Sequence, residues 1–132
     1  MIAIDSSAIL AILAGDPEAD AFRARIEMVP DRFLSAFNLL EARTILQRRY
    51  GRQMVSYLGA LLDRLEIAIM PFDEVNANIA FSAYRKYGRD SGHKAQLTLG
   101  DCAAYALAVS LDLPLLFKGE EFRHTDVKPA IG

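Results

Sequence analysis

An α/β domain built on a parallel sheet is the fold this sequence predicts, on three observations. Short apolar runs alternate with amphipathic stretches of helical length, the order expected when each strand is followed by a crossover helix. The short runs are continuously apolar rather than alternating, as suits strands covered on both faces. Cap and turn residues punctuate the junctions between the two kinds of segment. With 132 residues, 52% of them hydrophobic, the chain has the length and apolar content for one buried core, read as a single domain over 1–132.

The first strand is read at Met1–Ile4 and a short helix at Ser7–Ala14, stopped by Gly15. Asp16 is read as the N-cap of the next helix, with Pro17 at its first position. Arg32–Leu34 makes the second strand. Ser35 caps a longer helix whose apolar face is read as Leu39, Leu40, Ile45 and Leu46, ended by Gly51. A further helix covers about Gln53–Arg64, and Ile67–Met70 is the third strand. Asp73 opens a helix to about Tyr87, with Val75, Ile79 and Ala83 on one side. The polar segment Gly88–Gln96 reads as a loop, Leu99–Leu111 as a helix closed before Pro114. Leu115–Phe117 is the fourth strand, and a weaker fifth is placed near Val127–Ile131, giving a sheet of four to five strands.

Composition narrows the function. Charged residues make up 24% of the chain, ordinary for a globular protein and too few for a disordered one. The net charge of −2 argues against a general nucleic-acid coat protein, which is normally basic, but not against an enzyme whose acidic site takes cations. The single cysteine, Cys102, excludes an intramolecular disulfide and a cysteine metal cluster, and a reducing cytoplasm is the simplest expectation. Met1 runs into Ile2-Ala3-Ile4 without a basic leader, and Ala8–Ala14 is too short to span a bilayer, so neither a signal peptide nor membrane association is expected.

Four acidic positions carry the chemistry. Asp5 directly follows the first strand, at the carboxyl edge where parallel sheets bind ligands; helix capping is the competing use. Glu41 has Phe37 and Ile45 as its i−4 and i+4 neighbours, an apolar row in which a carboxylate needs a metal ion, an arginine such as Arg43, or water to neutralise it. Asp101 stands three residues after Thr98, the spacing of a capping box, and also marks a helix start facing the same edge; Gly100 and Ala104 beside it leave room for a ligand. The fourth acid follows the last strong strand, with Glu120 preferred and Glu121 second, against a solvated acidic turn. Right-handed crossovers bring these positions to one edge. An all-oxygen cluster without cysteine selects a hard ion, Mg²⁺ or Mn²⁺, and suits phosphodiester hydrolysis, where the ion polarises the phosphate and makes hydroxide available near neutral pH.

The order Asp5, Glu41, Asp101 and a final acid near Glu120 resembles the acidic quartet of PIN-domain nucleases. Ile4-Asp5-Ser6-Ser7-Ala8, Gly100-Asp101-Cys102-Ala103-Ala104-Tyr105-Ala106, and Leu115-Leu116-Phe117-Lys118-Gly119 with its acid pair, Phe122 and Thr125-Asp126 are similar to the VapC subgroup. The resemblance spans nearly the whole chain. It implies a PIN-like three-layer α/β/α domain with a mostly parallel sheet, and a Mg²⁺- or Mn²⁺-dependent endoribonuclease toxin. It also implies a homodimer and a VapB-type antitoxin that covers or enters the site. Asp5, Glu41 and Asp101 match metal-site acids and Ser7 a hydroxyl near the site, with Glu121 in support of Glu120. The fourth acid departs from the family, which often has Asp or Asn there.

Arg43, Arg48, Arg49, Arg52, Arg85, Lys86, Arg89, His93 and Lys94 are candidates to flank an RNA path; for most, ordinary solvated surface is the preferred reading, and antitoxin contact is a third. Competing functions are a PIN-like module that binds RNA or protein without cleavage, and a haloacid-dehalogenase-type phosphatase. The latter wants a second Asp two positions after the first, where this chain has Ser7. A receiver domain is disfavoured because it needs paired acids beside the first strand.

Overall fold

The structure, a computed structural model, describes residues 1–131. Strand β1 (Ile2–Ile4) leads into helix α1 (Ser6–Ala14) and α2 (Ala19–Glu27), then β2 (Arg32–Ser35), α3 (Ala36–Arg49), α4 (Arg52–Arg64) and β3 (Ala68–Met70). Helices α5 (Glu74–Tyr87) and α6 (Leu99–Leu111) follow, then β4 (Leu115–Leu116) and a single 3₁₀ turn at Glu121–His124. The four strands are parallel in the order β3-β2-β1-β4.

The period-2 alternation of strand side chains sorts this sheet into three layers. Ile2, Ile4, Leu34 and Leu116 face one way and pack with α1, α2, α3 and α4. Ala3 and Leu115 face the other and pack with α5 and α6, where Ala103, Ala104 and Ala106 are fully buried and let α6 lie close. Full burial of Ile2, Ile4, Leu34 and Leu116 stabilises the fold by about 1.5–3 kcal/mol each.

The cap signals are local, and all but that of Asp16 hold. Asp5 caps α1 by accepting from Ser7 N, Ser35 caps α3 through Phe37 N, and Asp73 caps α5 through Asn76 N. Thr98 and Asp101 form the full capping box of α6. Gly15 takes the left-handed conformation that ends α1.

Four expectations are corrected. Asp16 does not cap α2, which begins at Ala19; its carboxylate instead accepts from Lys118 Nζ at 2.7 Å. Leu40 is 64% exposed, because the buried face of α3 is Asn38, Ala42 and Leu46 and Leu40 lies about 200° around the helix from Asn38. Val75 is likewise exposed on the first turn of α5. Val127–Ile131 is not a strand: Leu115 bonds Lys128 O and Ala130 N in one bridge, and Pro129 has no N–H to extend a ladder.

Among the described residues no helix is long and apolar enough to cross a membrane.

Candidate active site

The chain builds β2 and β3 on one side of β1 and returns to place β4 on the other. The β1/β4 boundary is therefore a topological switch point, and a crevice opens beyond its carboxyl edge. The crevice is a cleft of about 540 Å³ whose lining includes Asp5, Ser7, Asp101, Lys118, Glu120 and Glu121.

Asp5 is 2% exposed at the end of β1. Its Oδ2 accepts from Ser7 N at 3.0 Å, whereas Oδ1 is buried with no partner among the described residues. Burial first, and the negative charge of Asp101 second, push its pKa from 3.8 to about 7. A carboxylate aimed into a cleft with one oxygen orphaned is costly unless a cation meets it.

Asp101 sits in the first turn of α6, where its Oδ2 accepts from Thr98 N at 3.0 Å. Burial raises its pKa despite that bond, and Glu121 and Glu41 add to the rise. Capping and facing the site are thus both uses of one side chain.

Glu41 lies in the second turn of α3 and reaches back across the helix start. Its Oε1 accepts from Ser6 Oγ at 2.6 Å and from Asn38 Nδ2 at 3.3 Å. No arginine pairs with it among the described residues; Ser6 and Asn38 hold it instead. The space beside Gly100 is filled by this carboxylate rather than left for a ligand, since a Cβ at Gly100 would overlap Glu41 Oε2.

Ser7 Oγ accepts from Lys118 N at 2.9 Å, tying the end of β1 to the end of β4. The two acids after β4 diverge. Glu120 is 81% exposed at its side chain and pairs with Arg123 at 3.7 Å. Glu121, at the start of the 3₁₀ turn, is the one whose charge acts on Asp101. Asp5, Glu41, Asp101 and Glu121 therefore form one electrostatic group, and Glu120 stands at its rim.

Ser6 and Asn38 were missed. Asn38 is fully buried and donates to Gly100 O at 3.0 Å as well as to Glu41, joining α3 to the first turn of α6. Its place three residues before Glu41 was the available signal.

Among the described residues no three His, Cys, Asp or Glu side chains form a ready-made coordination sphere. The donor set nonetheless fits a small hard cation. Such an ion keeps most of its waters and binds through one or two carboxylates, and Asp5 Oδ1 is an unpartnered buried oxygen of that kind.

A parallel α/β/α sandwich with carboxylates gathered at its switch point is the architecture of a PIN domain. The chain belongs to the PIN domain family, whose profile matches residues 2–128. It is 42% identical to ribonuclease VapC42 of Mycobacterium tuberculosis over 127 residues, covering 96% of this chain and 97% of that protein. It is 40% identical to ribonuclease VapC of Mycolicibacterium smegmatis over 124 residues, covering 94% and 95%. Among solved structures, M. tuberculosis VapC20, described as a Sarcin-Ricin loop cleaving toxin, superposes with a TM-score of 0.74 at 18% identity, covering 96% of each chain.

Proposed function

We propose that the chain is a VapC-type endoribonuclease, the toxin of a toxin–antitoxin pair, acting with Mg²⁺ or Mn²⁺. The observation that carries this reading is the gathering of Asp5 and Asp101 at one cleft, with Glu41 acting on both through its charge and a buried Asp5 oxygen left unpaired. Asp5 and Asp101 would hold the ion, with Glu41 and Glu121 beside them. A bound divalent ion supplies polarisation of the scissile phosphate and water acidic enough to attack near neutral pH. The protein's part is positioning. Ser7 N orients Asp5, Thr98 N orients Asp101, and Ser6 and Asn38 fix Glu41 from opposite elements. Similarity to named VapC ribonucleases at about this identity supports the substrate class.

The test is cleavage of RNA by the purified chain with Mg²⁺ or Mn²⁺. Loss of cleavage on adding EDTA and its return with excess ion support the reading. Intact RNA under every metal would replace it with a binding module.

For the fourth acid we prefer Glu121 to Glu120, because its charge acts on Asp101 whereas Glu120 is exposed and paired with Arg123. Glu121→Gln is expected to lower kcat/KM at least about tenfold, and Glu120→Gln less than about threefold. Comparable losses at both positions would place the fourth acid at the rim instead.

A homodimer is the assembly we propose, with a VapB-type antitoxin as the regulatory partner and the cytoplasm as the compartment. Phe81 and Leu99, 60% and 64% exposed, border an apolar groove that Phe37, Phe72, Ala80 and Tyr84 also line. Exposed apolar clusters of this kind mark protein interfaces. Sedimentation at twice the chain mass is expected, falling to the monomer mass in Phe81→Asp; a monomeric wild type at micromolar concentration overturns the assembly.

A further inference from the structure

We propose that Arg89 and Lys94 form a phosphate-binding rim that grips the RNA backbone next to the scissile bond. The proposal rests on the ribonuclease reading of the cleft and adds the part of the site that meets the substrate's flanking charge.

The cleft is divided by charge. Asp5, Asp101, Glu121 and, at the rim, Glu120 supply its acidic groups, while Arg89 and Lys94 enter its lining from the 88–96 loop. Two other bases reach the cleft. Lys118 is already committed, bonded to Asp16 at 2.7 Å and near Glu18 at 3.6 Å, and His124 ends the 3₁₀ turn. Arg89 and Lys94 are exposed, and among the described residues neither side chain makes a hydrogen bond, an ion pair or a cation–π contact. Two unpaired cations beside a group of carboxylates, neither neutralising it, are arranged for a ligand that is itself anionic.

Their loop is a built platform, not a loose strap. Gly88 bridges Leu97, and Arg89 N donates to Leu97 O at 3.2 Å, one residue before the cap of α6. Ala95 and Leu97 are buried, Ala95 N donates to His93 Nδ1 at 3.0 Å, and the His93 ring packs edge-on against Tyr87 at 5.0 Å. Tyr84 OH holds Asp90 at 2.5 Å. The loop that carries both cations is thereby tied to the start of α6 and so to Asp101, with both residues lining the cleft.

The chemistry follows from the substrate. A divalent ion held by Asp5 and Asp101 would offset the charge of the reacting phosphate, whereas the phosphates on either side would still meet a protein of net charge −2. Cations at the rim offset that repulsion and set the strand's register, in the way phosphate contacts position nucleic acids without reading sequence. Binding through them releases counterions and so depends on salt.

The experiment compares wild type, Arg89→Gln/Lys94→Gln, the charge-retaining Arg89→Lys/Lys94→Arg, and Arg64→Gln as a remote exposed cation, on an RNA oligonucleotide that wild type cleaves. The neutral double variant is expected to raise KM at least about tenfold with kcat within about threefold. Its log–log dependence of affinity on salt should lose about 1.4 in slope, or 0.7 for each single-strand phosphate released. The swapped variant should recover most of the affinity, and Arg64→Gln should match wild type. An unchanged KM and salt slope in the neutral variant, with wild type cleaving, overturns the rim alone. A wild type that cleaves no RNA overturns the ribonuclease reading and the rim with it.

Discussion

Asp5→Asn is expected to abolish RNA cleavage, by at least about 10³-fold in kcat/KM, and at the same time to stabilise the metal-free protein. The two effects have one cause. Asp5 holds its charge in a buried position with Oδ1 unpartnered and Asp101 nearby, so the carboxylate is held against its own solvation preference. An amide removes the charge, binds a cation poorly, and keeps the cap on α1 because Asn accepts from Ser7 N as well as Asp does. Asp101→Asn is expected to lose activity by a similar factor. Its amide oxygen still accepts from Thr98 N, so α6 keeps its capping box.

The stability half of this prediction has a defined pH window. Below 3.8 the Asp5 carboxyl is protonated in folded and unfolded chains alike. Between 3.8 and about 7 the unfolded chain releases the proton and the folded one keeps it. The folded state then binds more protons, and stability falls as pH rises. Above about 7 both forms are ionised and the loss is complete, at most about 4 kcal/mol for a shift of this size. In EDTA at pH 8, Asp5→Asn should therefore melt about 5 °C or more above wild type, with the gap closing toward pH 4. Added Mn²⁺ should raise the wild-type Tm, because it favours the ionised carboxylate, and should leave the variant's Tm where it was. A variant that melts below wild type at pH 8 without metal would mean that Asp5 is held at no cost.

These effects trace to a residue that was legible from the sequence, and the reason is local. Asp5 abuts an apolar run that can only be a short buried strand, and Asp101 follows Thr98 at cap spacing; both signals lie within a few residues of the group they place. The layers of the sheet were legible for the same reason. What escaped depends on distant partners. Asn38 looks like any polar residue in a helix until Gly100, 62 positions away, offers its carbonyl. Asp16 has the pattern of an N-cap and is instead drawn to Lys118, 102 positions on. Glu120 and Glu121 are adjacent in sequence, and which one faces Asp101 is decided by the turn after β4, where Gly119 takes a φ of 108°. A side chain there is strained, so the bend that separates the two acids depends on glycine.

Gly100→Ala is expected to fold normally yet lose about 100-fold in cleavage rate, through a residue that never touches RNA. The added methyl would fall 2.5 Å from Glu41 Cδ and 2.7 Å from Oε1, and would overlap Oε2 outright. The obstructing atoms are the end of a flexible side chain, so the backbone of α6 need not yield. Alanine also favours a helix over glycine by about 1 kcal/mol, which offsets part of the crowding. Thermal stability should accordingly stay within a few degrees of wild type. Glu41 itself must swing away, and in doing so it gives up Ser6 Oγ and Asn38 Nδ2, the two donors that hold it where its charge acts on Asp5 and Asp101. Shortening the acid separates this cause from a general disturbance of α6. In Gly100→Ala/Glu41→Asp the carboxylate has one methylene less to accommodate, and cleavage should recover by several-fold over Gly100→Ala alone. Full activity in Gly100→Ala would mean that Glu41 works from another position than the one it occupies against α6. No recovery in the double variant would mean that the methyl acts through Asp101 rather than through Glu41.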